Sequence, residues 1–232
     1  MTTLTKTLAA LTFATLATGC SQMGSSQVPT QDIEATITLT ARGDGRTVID
    51  ADLRHARSAW GESVNLETGD ALVAEYDGRR RRLDGGFGYS GVLPTDAPDM
   101  LVRVALDRMS FTPAPDSRVR LPDPFEAFRT RGVYDVDYDT IPIEWSGGSD
   151  DAMSVEISGH CIFGFERTLR FDDGVFLLRP GELDATSSWD GSPCTLDVTL
   201  RRTRVGVLDP ALDGGSIVAQ QVRTTSVVVE GW

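Results

Sequence analysis

Length, composition and charge set the first limits on this chain. Its 232 residues are 40% hydrophobic and only 24% charged, so the chain can fill a packed core and is not wholly disordered. A formal net charge of −12, from 22 basic and 34 acidic residues, repels phosphate backbones and argues against nucleic-acid binding. The 2 histidines and 3 cysteines leave few ligands for a zinc or haem site.

The N-terminus has the pattern of a secretory signal peptide. Lys6 lies near the start, an apolar run covers residues 8–16, and small residues precede Cys20. The run is too short for a membrane-spanning helix, which needs about 20 apolar residues. The chain is therefore predicted to be secreted, with residues 1–19 removed.

The Ala17-Thr18-Gly19-Cys20 segment resembles the signal of bacterial lipoproteins, in which the cysteine becomes the acylated N-terminus. The resemblance implies lipidation of Cys20 and a stable membrane anchor in the cell envelope. Ser21 follows the cysteine where an aspartate would favour the inner membrane, so the outer membrane is expected. Ordinary signal cleavage is the alternative, because Ala17 and Gly19 also form a small-x-small site. Residues 20–31 are small and polar, and we expect them to form a flexible tether.

From residue 32 onward the sequence predicts an all-β protein. Apolar residues alternate with polar ones in short runs separated by Asp-Gly and Gly-Gly turns, and no helical period is sustained. The strands expected in the first half cover residues 33–40, 49–54, 71–76, 80–83, 89–93, 101–106 and 118–121. This pattern fits an antiparallel β-sandwich over residues 32–121.

The Leu121-Pro122-Asp123-Pro124 segment predicts a stiff connector and a domain boundary. A second sandwich is expected over residues 122–232, with strands around residues 141–145, 153–161, 176–178, 194–201 and 216–230. This part resembles immunoglobulin-like and fibronectin type III sandwiches, which implies that Trp145 packs in the core. Pro142 interrupts a central strand, so a bulge or an edge position is expected there.

Cys161 and Cys194 fall on the apolar phases of two different strands in a secreted chain. One disulfide between them is the simplest interpretation. It would stabilise the fold by roughly 3–4 kcal/mol on the chain-entropy model. A thiolate nucleophile, or a metal pair formed with His160, is the alternative.

Two further segments extend the resemblance to nearly the whole mature chain. Residues 118–125 and residues 204–210 resemble bacterial lipoproteins that carry tandem β-sandwich modules and have no assigned activity. The resemblance implies an architecture and a location, and no chemistry.

An Asp-Val-Asp-Tyr-Asp run is a candidate calcium site. Asp135, Asp137 and Asp139 have the spacing that begins a calcium loop. However, the sixth position is not glycine and the twelfth is Ser146 rather than glutamate. The alternative is that these aspartates lie on a strand and point together to solvent.

Tryptophans and arginines give the remaining candidate surfaces. Trp60, Trp189 and Trp232 lie in expected loops or at the terminus, where they either stack on sugar rings or plug the ends of a sandwich. The basic run Arg79–Arg82 either meets anionic lipid or glycan groups or protects a hairpin edge by charge.

The sequence contains no pattern that indicates catalysis. Histidine occurs only at His55 and His160, and no nucleophile elbow, phosphate loop or paired metal-binding histidines are present. We therefore expect a non-catalytic, lipid-anchored envelope protein with a structural or interaction role and without a cofactor. Its partner would be the membrane, through the lipid, and an envelope protein or a glycan. A carbohydrate-binding or calcium-stabilised adhesion module is the alternative.

Overall fold

The computed structural model describes residues 22–231 apart from residues 60, 68, 87 and 131, and it shows an all-β protein. The only helical segments in this part of the chain are two 3-10 turns, Ser25–Gln27 and Thr30–Asp32. Within the described residues no helix has the length and apolar character needed to cross a membrane.

Seventeen strands make up the described structure. They are β1 (Gln22–Gly24), β2 (Ile33–Ala41), β3 (Thr47–His55), β4 (Ser63–Asn65), β5 (Ala71–Tyr76), β6 (Arg79–Arg82), β7 (Asp84–Gly86), β8 (Gly88–Leu93), β9 (Leu101–Asp107), β10 (Ala114–Arg120), β11 (Val133–Asp135), β12 (Ile141–Glu144), β13 (Ala152–Ser158), β14 (Phe165–Leu169), β15 (Val175–Leu178), β16 (Cys194–Val205) and β17 (Gly214–Glu230).

The strands form one large sheet and two smaller ones. The 11-stranded main sheet has the order β1-β4-β3-β2-β17-β16-β13-β14, with β8 and β7 continuing from β3 and β11 pairing with β17. A 4-stranded sheet has the order β10-β9-β5-β6, and β12 and β15 form a two-stranded sheet. Pro142 lies in β12, whose only strand partner among the described residues is β15, as expected for an edge position.

Two hydrophobic cores lie on the inner face of the main sheet. We call them core one and core two. Core one is built from residues between Val28 and Leu121, together with Ile217 and Ala219. Core two is built from residues between Phe125 and Val229, with Trp145 buried in it.

The last strand, β17, serves both cores. Its first half pairs in parallel with β2 through the register Ile217↔Ile37, and it also pairs antiparallel with β16 through Val227↔Leu196. Because side chains alternate along a strand, Ile217 and Val227 lie on the same face of β17, where Ile217 packs in core one and Val227 packs in core two. The main sheet is therefore continuous from one core to the other.

Polar side chains from β16 and β17 hold the connector between the cores. Arg202 donates to the Asp123 carbonyl at 2.8 Å, and Arg204 donates to the Leu121 carbonyl at 3.2 Å. Gln221, which is fully buried, donates to the Pro122 carbonyl at 3.3 Å. Prolines remove backbone donors from the connector, and these three side chains satisfy its buried acceptors.

The expectation of a flexible tether is wrong for residues 22–31. β1 pairs in parallel with β4, Ser25 and Val28 have no exposed surface, and the Thr30 hydroxyl donates to the Thr112 carbonyl at 2.5 Å. The polar composition misled the prediction because the partners of these groups lie far away in the sequence. This segment is part of the wall of core one.

Candidate functional site

The outer face of the main sheet carries a row of polar side chains over core one. On β2 and β3 the apolar residues face inward, which leaves Thr36 and Thr38 outside beside their cross-strand partners Asp52 and Asp50. The register continues from Asp50 to Ser90 on β8 and from Ser90 to Asp84 on β7. Four neighbouring strands thus present oxygen-bearing side chains in line.

These side chains line a concave surface, which we call the trough. Its volume is about 590 Å³, and its polar lining includes Thr36, Thr38, Asp50, Asp52, Asp84 and Ser90. A smaller cavity of about 140 Å³ shares Asp52, Ser63 and Tyr89 with the trough and reaches Gln22 and Asn65. Together the two cavities form an elongated groove that crosses the sheet from β2 toward β1.

The trough carries uncompensated negative charge. Arg54, also in its lining, binds Asp52 at 2.6 Å, and the hydrogen bond and charge of Asp52 raise the pKa of the Arg54 guanidinium. No hydrogen bond or ion pair joins the Asp50 or Asp84 carboxylate to another described residue, and both side chains are exposed. Their carboxylate oxygens are available to a ligand.

Tyr89 and a strip of glycines shape one end of the trough. The Tyr89 hydroxyl donates to the Val64 carbonyl at 3.0 Å and accepts from the Leu66 N–H at 2.6 Å, which fixes the ring. Burial raises the pKa of Tyr89 against the opposing effect of the Leu66 hydrogen bond, so the hydroxyl stays protonated. A Cβ added at Gly86 would meet no atom within 4 Å. The backbone there is open to a ligand.

The opposite sheet of core one presents arginines. Arg79–Arg82 form β6, an exposed strand that pairs only with β5 among the described residues. Arg80 binds Glu75 at 2.9 Å, and Arg103 on β9 binds Asp116 at 2.9 Å. Across the strands of this sheet, Arg80 lies opposite Glu75, Glu75 opposite Arg103, and Arg103 opposite Arg118. This row therefore includes two arginines, Arg103 and Arg118, that are distant from the basic run in the sequence. Alternating ion pairs partly neutralise this face, as expected for a charged edge.

Several residues singled out in the sequence have a clear place in the fold, whereas others do not. Cys20, Trp60 and Trp232 lie outside the described residues. Trp189 is half-buried against core two, and its indole N–H donates to the Ser192 carbonyl at 2.8 Å.

The aspartates of the candidate calcium loop bind their own backbone. The Asp135 carboxylate accepts from the Asp137 N–H at 2.9 Å, and the Asp139 carboxylate accepts from the Asp135 N–H at 2.9 Å. Among the described residues no group of three or more His, Cys, Asp or Glu side chains is arranged to hold a metal ion. Calcium binding by Asp135, Asp137 and Asp139 stays a prediction, to be checked by whether a chelator lowers the melting temperature.

The predicted disulfide is confirmed: Cys161 and Cys194 are bonded, with their Cα atoms 6.5 Å apart. His160 lies beside it, with a ring nitrogen 3.8 Å from the Cys194 sulfur. His55 ends β3, and its backbone N–H donates to the Glu62 carbonyl at 2.9 Å. The two histidines thus lie at opposite cores and do not form a common site.

Comparison with known proteins finds no protein-family model and no curated protein that matches the chain. The candidate site therefore depends on geometry alone. Its residues on β2 and β3 were visible in the sequence as the polar phase of those strands, whereas much of the remaining lining comes from the β7–β8 hairpin.

Proposed function

We propose that this is a non-catalytic, lipid-anchored protein of the bacterial cell envelope with an interaction role. The observation that carries the proposal is the Cys161–Cys194 disulfide in a chain whose residues 1–19 resemble a lipoprotein signal directly before Cys20. Disulfides persist in oxidising compartments such as the periplasm and the cell surface. The outer membrane is the expected site because Ser21 follows the cysteine.

We further propose that the body consists of two tandem β-sandwiches, of which the second is immunoglobulin-like. The two separate cores support this division, with Ile217 and Ala219 of β17 completing core one. The resemblance to tandem-module lipoproteins supports it too. A shared strand, β17, would make the two modules dock rigidly rather than swing.

Two carboxylates whose pKa values are lowered have structural partners. Burial raises the pKa of Asp70, but hydrogen bonds from the Met109 N–H, the Ser25 hydroxyl and Arg108 outweigh it and hold this pKa below its ordinary value. Hydrogen bonding to the Arg179 N–H, opposed by burial and aided by Arg167, likewise lowers the pKa of Glu182. Both carboxylates are ionised structural acceptors, not groups poised to exchange protons near neutral pH.

An anchor at Cys20 would hold the body close to the bilayer. Only two Cα–Cα steps separate Cys20 from Gln22, where β1 begins, and such a span reaches at most about 7 Å. The trough would then lie near the membrane surface, because its extension reaches Gln22. We assign the interaction role to this surface.

The anchor is tested by expressing the full chain and its Cys20→Ala variant in a Gram-negative host. We expect the wild-type protein to enter the detergent phase with an acylated N-terminal mass, and the variant to lose both properties. A wild-type protein that is cleaved after Gly19 without acylation, or a variant that stays in the detergent phase, would overturn the anchor.

A further inference from the structure

We propose that the trough binds an oligosaccharide that carries no acidic groups. This inference identifies the ligand class behind the interaction role proposed above, and it does not depend on the lipid anchor. It is carried by the row Thr38–Asp50–Ser90–Asp84, which lines the trough, and by the smaller cavity that adjoins the trough.

The dimensions fit a ligand of more than one sugar ring. Ligand sites in proteins typically enclose about 300–1,000 Å³, and the trough has about 590 Å³ before its extension toward β1 and β4 is included. A linear oligomer follows such a groove, whereas a single small ion does not fill it.

The distance between the free carboxylates of Asp50 and Asp84 suits a sugar ring better than a metal cation as the ligand. Asp50 and Asp84 lie on strands that flank β8, so two strand spacings, or about 10 Å, separate their backbones. A calcium ion is bound at about 2.4 Å by each ligand. The two carboxylates are therefore suited to accept hydrogen bonds from hydroxyls on opposite sides of one ring.

The lining matches the groups of a sugar. Thr36, Thr38 and Ser90 offer hydroxyls that both donate and accept, while the carboxylates accept only. The unpaired negative charges of Asp50 and Asp84 repel acidic sugars and attract amino groups. A free amine on the sugar should therefore strengthen binding at low salt.

The same surface is poorly suited to an extended peptide. β3 is already paired on one side with β2 and on the other with β8 along residues 47–51, so it has no free backbone edge there for strand addition. Recognition must use side chains projecting from the sheet, which suits a hydroxyl-rich ligand.

Calorimetry of the full chain in detergent tests the proposal with three probes. These are an N-acetylglucosamine tetrasaccharide, its fully deacetylated counterpart and tetragalacturonic acid. We expect the first two to bind, the deacetylated one more tightly at low salt, and the acidic one not to bind.

Two glycine substitutions provide a matched pair. A Cβ at Gly86 or at Gly164 meets no atom within 4 Å, and neither residue needs a positive φ, so a side chain can begin at either position without a Cβ clash or backbone strain. Gly86→Leu projects into the trough, whereas Gly164→Leu lies beside core two. We expect Gly86→Leu to weaken binding by at least about tenfold and Gly164→Leu to leave it unchanged. Asp50→Asn with Asp84→Asn should weaken it about 10- to 100-fold, since hydrogen bonds to charged groups are lost.

Four results would overturn the proposal. They are no binding of the neutral tetrasaccharide, equal binding of tetragalacturonic acid, equal loss in both leucine variants, or spermine or tetralysine binding as tightly as the deacetylated sugar. Cys20→Ala should leave the affinity unchanged. Failure of the anchor and failure of the sugar site are therefore seen in separate measurements.

Discussion

The two cores each contain a buried aspartate–arginine pair, but the pairs fasten different parts of the chain. In core one the Asp70 and Arg108 side chains are 8% and 0% exposed and 2.9 Å apart. Near core two the Asp172 and Arg202 side chains are 0% and 3% exposed and 2.5 Å apart. Such burial is costly unless the remaining polar atoms are satisfied, so the other partners of each pair reveal its role.

The pair in core one fastens the N-terminal segment. Arg108 donates to the Ser25 carbonyl at 2.6 Å and to the Val28 carbonyl at 2.9 Å, while Asp70 accepts from the Ser25 hydroxyl at 2.8 Å. These partners precede the first long strand by only a few residues. Hydrogen bonds, rather than a disulfide, therefore hold this segment against core one.

The pair near core two fastens the connector and two loops. Asp172 accepts from the Trp145 indole N–H at 2.5 Å, and Arg202 donates to the Asp123 and Ser146 carbonyls at 2.8 and 3.0 Å. The Arg202 guanidinium also lies 4.9 Å from the centre of the Phe125 ring. Core two has the Cys161–Cys194 disulfide in addition. Because the disulfide also stabilises core two, we expect the removal of one charge of the buried pair to lower the free energy of unfolding more in core one than in core two.

Arg108→Ala gives the largest expected effect. It leaves the Asp70 carboxylate buried without its cation and frees the Ser25 and Val28 carbonyls, so we expect a loss of about 3–5 kcal/mol in the free energy of unfolding. Urea denaturation measures it. The control is Arg118→Ala, whose ion pair with Asp116 has side chains 51% and 41% exposed and should cost less than about 1 kcal/mol. Equal losses in the two variants would refute the role of the Asp70–Arg108 pair.

Removal of the disulfide comes next. The double variant Cys161→Ala, Cys194→Ala opens a loop with a sequence separation of 33 and should cost about 3–4 kcal/mol. Hydrogen exchange should show the loss mainly in β13 and β16, which flank core two, while β3 and β8 stay protected. Wild-type protein with the disulfide reduced is the matched control and should behave like the variant. Faster exchange of β3 and β8 to the same degree would show that the shared strand β17 couples the two cores fully.

Strand alternation and cysteine phase predicted much of this fold. β2, β3 and β16 follow the polar–apolar period of the sequence, and Cys194 lies on the buried phase of β16, whereas its partner Cys161 lies in a turn after β13 rather than in the predicted strand. The docking of residues 22–31 was not predictable in this way. Its partners are Asp70 and Arg108, which lie 45 and 83 residues from Ser25 in the chain. No local pattern encodes such distant hydrogen bonds.

The candidate site was predictable only in part. Thr36, Thr38, Asp50 and Asp52 were recognisable as outward-facing, but an outward polar phase is the ordinary surface of a half-buried strand. The short strand β7, which brings Asp84 into the same row, contains two glycines and gave no strand pattern. The concave shape is a tertiary property.

Acid should weaken core one through Asp70. Because the pKa of this carboxyl is lower in the folded state, its contribution to stability is present above the unfolded pKa of about 4. That contribution is lost as the pH falls through the folded value. We expect the free energy of unfolding to fall between pH 5 and pH 2, as measured by urea denaturation at each pH. Asp70→Asn should be less stable at pH 6 and lose less on acidification. If the free energy of unfolding of Asp70→Asn fell with decreasing pH as steeply as that of the wild-type protein, other carboxylates would be responsible for the acid sensitivity.

The smallest expected effect is on the arginine face of the four-stranded sheet, and it tests whether burial is what distinguishes the pairs. Arg103 contacts Glu75 at 3.6 Å and Asp116 at 2.9 Å, and all three side chains are about one-third to two-fifths exposed. Exposed pairs are screened by water and salt, so Arg103→Ala should cost about 0–1 kcal/mol, and less in 1 M salt. Arg108→Ala should keep its full cost in the same salt, because water and ions do not reach its pair. Arg103→Ala could instead lower the free energy of unfolding as much as Arg108→Ala, with a loss that salt does not change. The arrangement of the charges along the row, rather than burial, would then determine the strength of these ion pairs.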